Sequence, residues 1–307
     1  MKILIIGYGS IAKKHVVALK KINQAFEIFA LRTSEDAENE PGITNVFTYQ
    51  AAEELDVTFV IISNPTASHF ATISHIKTWN KPLFIEKPIF NSLIGAEGIR
   101  KYLTHNNIFN YTACNLRFLD CLVFIKNYLK DKVSRINEVN IYSGSYLPDW
   151  RPDSDYKKSY SANENMGGGV HLDLIHEIDY VYWMFGKPLE NYKVHSSNSS
   201  IGINSIDYSN NIFLYKNFSC SIILNYYRRV PKREFEVLLE NDIIKIDLLQ
   251  NRIVNSKGDI LFESKQSIVD TYLEQMKYFI TNFHLKPNRS INDINDAIEV
   301  LKLCLDD

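Results

Sequence analysis

Lys87 is the first residue whose type and setting suggest chemistry. It lies in FIEKPIF, residues 84–90, where an apolar run ends in Glu86 and Lys87 and Pro88 follows directly. A lysine exchanges a proton near neutral pH only when it is desolvated or lies near another cation. Lys87 is therefore either a solvated lysine at the end of a loop or a lysine held in place to take part in a reaction.

A second group of titratable side chains follows three consecutive glycines. The segment GGGVHLDLIHEIDY, residues 167–180, carries His171, Asp173, His176 and Glu177. Histidine titrates near neutral pH without help, so His176 can serve as an acid or a base. Asp173 and His176 are three residues apart and would share one face of a helix. Taken alone, His176 is more typical of a structural helix residue, and His171 is expected to be structural or to face a substrate.

A glycine-rich turn, GYGSIA, separates an apolar strand pattern from a helical pattern. Gly7 permits a tight turn, Gly9 lets the backbone approach a pyrophosphate, and Ala12 keeps the helix close to the sheet. The first turn of the helix also offers N–H groups to an anion. This context predicts a dinucleotide-binding site, and the alternative is a turn that merely needs glycine.

The end of the second predicted strand bears on the choice of dinucleotide. NAD-binding sites usually place a carboxylate about 20 residues after the glycines, but this sequence has Arg32, Thr33 and Ser34 there. A guanidinium and two hydroxyls suit a 2′-phosphate and favour NADP over NAD. Glu35 and Asp36 lie close enough to keep NAD possible, and a solvated arginine is the alternative role for Arg32.

Polar residues also follow the strand pattern of residues 57–62. SNPTASHF places Asn64, Pro65 and Thr66 where parallel sheets bind ligands, at the carboxyl end of a strand. These residues are candidate contacts to the ribose or nicotinamide. Helix capping by Thr66 or Ser68 is an equal alternative, and His69 is expected on the helix face rather than in catalysis.

Two further segments are candidates for holding a substrate. Asn115 and Arg117 follow the last strand pattern of the first part, where Arg117 would bind an anionic group or pair with Asp120. The stretch of residues 146–160 combines aromatic and basic side chains, including Trp150, Arg151 and Tyr160. Such a combination suits a sugar ring carrying a phosphate or nucleobase, and a self-packed surface loop or a subunit contact is the alternative.

Composition limits the class of protein. The chain has 307 residues, of which 45% are hydrophobic and 23% charged, with a net charge of −2. These values are typical of a globular protein of about two domains and give no reason to expect nucleic acid or an anionic membrane as partner. The four cysteines show no metal-binding spacing and are expected to be reduced core thiols. The short apolar runs predict neither a signal peptide nor a membrane span, so we expect a cytoplasmic protein.

The elements that position these residues fall into two predicted domains. Residues 1–117 alternate strand and helix patterns, which predicts a doubly wound parallel sheet of the Rossmann type. Residues 118–307 contain a long strand pattern at 136–146, strand patterns from 190 to 263 and helical patterns at 268–284 and 293–305. Their alternation predicts an α+β domain with a largely antiparallel, open sheet, and the last two helices are candidates to pack back on the first domain.

GYGSIA, EKP and GGGVHLDLIHEIDY occur together in an order that resembles the glucose–fructose oxidoreductase / inositol dehydrogenase family, written Gfo/Idh/MocA. The resemblance covers essentially the whole chain. CNLRF and GSYLPDWRPDSDYKKSYSA also resemble bacterial members linked to surface-polysaccharide or nucleotide-sugar pathways.

The resemblance implies an NAD(P)-dependent enzyme that transfers a hydride between the nicotinamide and a carbon of a sugar or sugar derivative. It implies Lys87 as the active-site lysine, His176 as the catalytic histidine and Asp173 as the acidic residue. Many members space the last two residues four apart, so Glu177 stays an alternative partner for His176. Pro88 is expected to follow a cis peptide and to aim Lys87 into the site.

The family motifs extend the candidate sites to two sets of residues. The residues expected to contact the cofactor are Gly7, Gly9, Ser10, Ile11, Ala12, Arg32, Thr33, Ser34, Asn64, Pro65, Thr66, His69, Glu86 and Lys87. The expected substrate contacts are Asn115, Arg117, Trp150, Arg151 and Tyr160, and no metal is expected. The family also implies a homodimer or homotetramer formed through the open sheet. The alternative function is a non-catalytic, nucleotide-sensing regulatory protein on the same fold.

Overall fold

The computed structural model describes residues 1–36, 38–285 and 289–305, which fall into two units. The first unit contains Met1–Asn115 and Tyr272–Leu301, and the second contains Leu116–Thr271 and resumes at Lys302. The sequence patterns put the boundary after residue 117. In the structure most of the last two helices belongs to the first unit.

The helices α1 to α9 follow in chain order. Their bounds are α1 Ser10–Ile22, α2 Tyr49–Glu54, α3 Thr66–Ile76, α4 Ala96–His105, α5 Asp120–Leu129, α6 Val170–Asp173, α7 Ile175–Phe185, α8 Thr271–Leu285 and α9 Ile294–Cys304. Among the described residues, no helix is both long and apolar enough to cross a membrane.

The first unit is built on a parallel sheet, as its sequence predicts. Its strands are β1 Lys2–Ile6, β2 Glu27–Leu31, β3 Ile43–Val46, β4 Phe59–Ile62, β5 Leu83–Ile85 and β6 Asn110–Thr112, in the order β3-β2-β1-β4-β5-β6. The strand order reverses between β1 and β4, which pair Ile6 with Ile62. Ligands of doubly wound sheets bind at this point of reversal, beyond the carboxyl ends of the strands.

Burial explains why these short apolar runs form strands rather than helices. Every residue of β4 is buried, and so is every residue of β1 after Lys2. Strands without polar alternation are covered on both faces, here by helices such as α1, whose buried residues include Ala12 and Leu19. The edge strand β3 and the short helix α2 were not anticipated from the sequence, because neither carries a strong apolar pattern.

The second unit contains the other sheet. Its strands are β7 Ile136–Tyr146, β8 Glu190–Ser196, β9 Tyr208–Leu214, β10 Ser219–Asn225, β11 Tyr227–Leu239, β12 Ile243–Asp247, β13 Arg252–Val254 and β14 Ile260–Glu263. Their order is β14-β13-β12-β11-β7-β10-β9-β8. The sheet is antiparallel except where β7 and β10 pair in parallel. Buried and partly exposed residues alternate along β10, as expected for a sheet with one covered face.

Candidate functional site

The glycine-rich turn connects β1 to α1 in the first unit. Gly7 has a φ of +86°, and a Cβ there would lie 2.3 Å from the Cα of Asn64, so only glycine fits. The Ser63 hydroxyl donates a 2.8 Å hydrogen bond to the carbonyl of Gly7 and ties the end of β4 to this turn. At Gly9 nothing lies within 4 Å of the position of a Cβ. The backbone at Gly9 is therefore open to a ligand at the first turn of α1, and these residues fit a dinucleotide pyrophosphate.

A cluster of charged and aromatic residues lies beside this turn. The Arg32 guanidinium stands 5.1 Å from the centre of the Tyr8 ring. The Tyr8 hydroxyl donates to Glu40 over 3.0 Å, and the Lys13 ammonium lies 2.5 Å from the same carboxylate. Thr33 and Ser34 are exposed nearby in the chain. Sequence reasoning found Arg32 but missed Tyr8, Lys13 and Glu40, because nothing in their spacing links them.

The charges of this cluster shift two pKa values. Burial, followed by the hydrogen bond to Glu40, raises the pKa of Tyr8 to about 12. The hydrogen bond from Lys13, followed by that from Tyr8, holds the pKa of Glu40 below its usual range. At neutral pH the cluster therefore contains a neutral phenol, a carboxylate and two cations.

The loop after β4 differs in detail from the sequence expectation. Helix α3 begins at Thr66 and its N-cap position is Pro65, which makes no side-chain cap hydrogen bond. The expectation that Thr66 or Ser68 caps this helix was therefore wrong, since Pro65 occupies the capping position. The amide of Asn64 instead donates to the Thr72 hydroxyl over 2.8 Å, which ties the loop to α3.

His69 is not on an exposed helix face. Its side chain is 1% exposed. Nδ1 lies 3.1 Å from the carbonyls of Pro88 and Ile89, and Nε2 lies 2.9 Å from the carbonyl of Asn64. Burial lowers the pKa of His69 below 6.5, although these carbonyls and Glu86 oppose that shift.

The Glu86-Lys87-Pro88 turn follows β5. The Lys87–Pro88 peptide is cis, as the sequence led us to expect. Glu86, Pro88, Ile89 and Phe90 are buried, and Lys87 is the one partly exposed residue of this run. Glu86 accepts a 3.2 Å hydrogen bond from the amide of Lys87, and its other oxygen lies 2.6 Å from Nε2 of His15. The turn is thus buried on both sides of Lys87, which is itself partly exposed.

In the second unit, Asp173 lies at the last residue of α6 and is 6% exposed. One carboxylate oxygen accepts from the Tyr160 hydroxyl, and the other accepts from Tyr226 over 2.5 Å. For both tyrosines, burial and then the charge of Asp173 raise the pKa of the hydroxyl well above its usual range. Both phenols are therefore neutral and donate to the two oxygens of Asp173.

The aromatic loop meets this carboxylate through Tyr226. The Trp150 ring packs edge-on against Tyr226 with ring centres 5.4 Å apart, and its indole N–H donates to Ser145 over 2.9 Å. Trp150 is nevertheless 40% exposed, and Arg151 beside it is exposed. Sequence reasoning missed Tyr226. It directly follows β10 and is fully buried, and a buried tyrosine needs an acceptor for its hydroxyl.

The sequence predicted one continuous helix through Asp173 and His176, but the structure has two helices there. Leu174, with φ −100° and ψ 30°, ends α6, and α7 begins at Ile175. His176 lies in the first turn of α7 and is partly exposed. Glu177 is fully buried and accepts from Arg233 at both oxygens, at 2.6 and 3.1 Å. The alternative partner for His176 therefore has its carboxylate in an ion pair with Arg233.

Arg117 pairs with a residue that the sequence did not suggest. Its guanidinium donates to both oxygens of Asp179 at 2.9 and 2.7 Å, and the residue is 2% exposed. Asp120, the partner considered from the sequence, instead accepts from the Ser264 hydroxyl over 2.6 Å. The prediction of an Arg117–Asp120 ion pair was therefore wrong. Because its guanidinium is buried against Asp179, Arg117 is not among the proposed substrate contacts. Asn115, at the end of the first unit, is buried.

Residues 1–108 match the model of the GFO_IDH_MocA family, described as an oxidoreductase family with an NAD-binding Rossmann fold. No curated protein sequence matches the chain.

Solved structures extend the likeness of fold to nearly the whole chain. UDP-N-acetylglucosamine 3-dehydrogenase GnnA from Acidithiobacillus ferrooxidans is 16% identical, with a TM-score of 0.80 over 99% of this chain and 95% of that one. Myo-inositol 2-dehydrogenase from Lactobacillus plantarum is 19% identical, with a TM-score of 0.81 over 99% and 95%. Scyllo-inositol dehydrogenase from Lactobacillus casei, solved with NAD(H) and scyllo-inositol, is 19% identical, with a TM-score of 0.80 over 99% and 94%. Over residues 1–108 the chain thus resembles the Rossmann domain of the GFO_IDH_MocA oxidoreductase family, and over nearly its whole length it shares the fold of these dehydrogenases.

Proposed function

We propose that the protein is an NAD(P)-dependent oxidoreductase that transfers a hydride between the nicotinamide and a CH–OH carbon of a sugar or sugar derivative. The main support for this proposal is the position of Lys87, which is the partly exposed residue of an otherwise buried turn at the carboxyl end of β5. It shares its unit with a glycine-rich turn whose backbone is open for a pyrophosphate. The regulatory alternative finds no support in the family or in the structures named above.

The chain's own residues would handle the proton of this reaction. A bound nicotinamide supplies the two-electron acceptor or donor. We propose that Lys87 hydrogen-bonds the reacting oxygen and that His176 exchanges its proton as acid or base. Asp173, held in place by hydrogen bonds from Tyr160 and Tyr226, would orient the imidazole or bind a substrate hydroxyl.

The residues that would hold the cofactor lie around the glycine-rich turn. We propose contacts from Gly7, Gly9, Ser10, Ile11 and Ala12 to the pyrophosphate. Asn64, Pro65 and Thr66 would contact the ribose or nicotinamide. Glu86 and His69 have polar atoms directed at other parts of the unit, and a different role for them is argued below.

For the dinucleotide, we infer a preference for NADP. The cluster beside the turn offers the cations Arg32 and Lys13, with the hydroxyls of Thr33 and Ser34 following Arg32 in the chain. The carboxylate of Glu40 accepts from Tyr8 and pairs with Lys13, so it is engaged before any ribose hydroxyl arrives. NAD is the alternative, because displacing Lys13 would leave Glu40 to accept from a ribose.

The substrate we propose is a nucleotide-linked or anionic sugar. Trp150 presents an exposed aromatic ring, and Arg151 supplies a cation beside it. Tyr160 links this loop to Asp173. The similarity to a UDP-N-acetylglucosamine 3-dehydrogenase supports the same substrate class. Such substrates would be available to a cytoplasmic enzyme of polysaccharide biosynthesis.

We also infer a homodimer or homotetramer that covers the outward face of the second sheet. Tyr192, Val194 and Ile212 are exposed large apolar residues of β8 and β9. A groove of about 690 Å³ on this sheet is lined by residues of β7 and β10 to β13, among them Tyr142, Ile223 and Val254. Apolar surface of this kind usually marks an interaction site.

The test of the proposed function is turnover by purified protein with either dinucleotide. UDP-N-acetylglucosamine and myo-inositol serve as the first probes, followed by other nucleotide sugars, with nicotinamide absorbance as the readout. Lys87→Met should lower turnover by about 10²- to 10⁴-fold, which is the loss expected when a group that acts on the transferred proton is removed.

Lys81→Met is the matched control, because Lys81 lies near the start of the same strand and pairs with the exposed Asp56. It should behave as wild type. Near-normal turnover by Lys87→Met would contradict the assignment of this lysine, and binding of neither dinucleotide would contradict the enzyme itself.

A further inference from the structure

Two buried histidines from different helices contact the turn that carries Lys87. His15 belongs to α1, which directly follows the glycine-rich turn, and it is 0% exposed. Its Nε2 lies 2.6 Å from Oε1 of Glu86. The imidazole also packs edge-on against Phe84 at 4.9 Å between ring centres, so its orientation is fixed by packing.

The carboxylate of Glu86 connects His15 to the backbone of Lys87. Its second oxygen accepts the amide proton of Lys87 over 3.2 Å, while the backbone amide of Glu86 donates to Ile62 in the sheet. A nearly buried carboxylate needs partners, because leaving it unpaired in the interior is costly. His15 is therefore the group that keeps this carboxylate under the turn.

His69 contacts the same turn from α3. One ring nitrogen faces the carbonyls of Pro88 and Ile89, and the other faces the carbonyl of Asn64 in the loop after β4. The neutral ring has a single N–H, so it donates on one side at a time. His69 thus links the residues after Lys87 to the strand end beside the glycine-rich turn.

We propose that His15 and His69 are positioning residues for Lys87. They fix the backbone on both sides of this lysine, His15 through Glu86 and His69 through the two carbonyls that follow. The proposal rests on the proposed function of Lys87. It gives Glu86 and His69 a role in holding the turn, rather than the cofactor contact expected from the sequence.

If His15 only filled space in the core, a simpler side chain would suffice. An apolar side chain at position 15 would fill the same volume, and it would not require a carboxylate to be buried against it. Instead, the polar atoms of two histidines reach a segment of four residues, Glu86 to Ile89. Both imidazole rings are oriented so that their nitrogens contact that segment. The geometry therefore points to a role in positioning the backbone around Lys87.

Hydrogen exchange measures the proposed role without a substrate. Mass spectrometry on His15→Leu should show faster exchange, by about tenfold, in peptides that contain Lys87 and Ile89. Peptides covering β1 should exchange as in wild type. His15→Gln, whose amide can still donate to Glu86, should restore most of the protection.

Leu19→Ala is the matched control, since Leu19 is equally buried on the same helix. This variant should accelerate exchange across the unit with no preference for the turn. Uniform acceleration in His15→Leu, or no change at the turn, would overturn the proposal for His15. The same comparison of His69→Leu with His69→Gln decides the proposal for His69.

Kinetics supply the functional arm. With a substrate turned over by wild type, His15→Leu should lower kcat about tenfold or more while NADPH and NADH dissociation constants change less than about threefold. Equal kcat in both proteins would overturn the link to Lys87. Absence of turnover in wild type would refute the proposed function, while exchange at the turn would still decide whether the two histidines hold it.

Discussion

At the scale of single residues, both carboxylate oxygens of Asp173 accept hydrogen bonds from tyrosine hydroxyls. Tyr160 and Tyr226 each donate to one of its oxygens. Asp173 is 6% exposed, and a buried acceptor without donors would be costly. Two tyrosines far apart in the chain thus hold the side chain of a residue that the motif alone identifies.

Removing one of these donors should impair Asp173 without touching the cofactor residues. Tyr226→Phe should lower turnover about 10- to 100-fold and destabilise the protein by about 1–3 kcal/mol, because a buried charged acceptor loses its partner. Steady-state kinetics and thermal unfolding measure the two effects.

Tyr227→Phe is the control for this prediction. Tyr227 is the next residue and is 36% exposed, whereas Tyr226 is fully buried. It should leave turnover and unfolding as in wild type. Equal effects of the two substitutions would show that Tyr226 does not act through Asp173.

In our interpretation of the cluster around Tyr8, Arg32 is responsible for a preference for NADP over NAD. Arg32→Ala should weaken NADPH binding by about tenfold or more and change NADH binding much less, because only the former carries a 2′-phosphate for the guanidinium. Titrations followed by nicotinamide fluorescence give both dissociation constants.

Arg100→Ala is the control for this titration, since Arg100 pairs with Glu97 on the surface of α4. It should bind both dinucleotides as wild type does. Tighter binding of NADH than NADPH by wild type would contradict the NADP preference.

At the scale of elements, the two glycines of the turn before α1 have separate roles. Gly7 is required by the fold, because its positive φ and the closeness of Asn64 exclude a side chain. Gly9 has an ordinary φ of −102° and open space where a side chain would be. The fold therefore has no need of glycine there, whereas a pyrophosphate does.

Gly9→Ala should therefore separate folding from binding. The variant should unfold close to the wild-type temperature, because only neighbouring residues of the chain lie within 4 Å of the new methyl group. Its affinity for NADPH should fall about tenfold or more, since the methyl group occupies the approach to the backbone. Unchanged affinity would place the pyrophosphate elsewhere.

At the scale of the whole molecule, the buried His69 connects stability to pH. Burial lowers the pKa of His69 below 6.5, so this residue is neutral in the folded protein at neutral pH. The unfolded chain takes up the proton first as pH falls below 6.5. Stabilisation is thus complete above pH 6.5 and is lost as pH falls toward the lowered pKa. Glu86 opposes this trend because its charge favours the protonated ring.

The unfolding temperature should fall more steeply with acidification in wild type than in His69→Gln. The comparison covers the range from neutral pH to below 6.5, where the two proteins differ in one titrating group. His75→Gln on the same helix is the control and should keep the wild-type slope. Parallel curves for wild type and His69→Gln would show that His69 does not titrate on unfolding.

The sequence by itself determined the parallel sheet, the glycine-rich turn and the position of Lys87. These features depend on local patterns: continuous apolar runs, glycines between a strand and a helix, and a proline that restricts the preceding residue. A strand buried on both faces has few alternatives to such a sheet, which is why β1, β4 and β5 could be assigned from their continuous apolar runs.

Only the tertiary structure decided which polar groups meet. His15 and Glu86 are separated by 71 residues and Asp173 and Tyr226 by 53, so no local pattern connects them. The pairing of Arg117 with Asp179 and of Glu177 with Arg233 likewise depends on which faces pack together. Buried polar atoms must find partners wherever the chain brings them, and that choice follows from the packing of whole elements rather than from neighbouring residues.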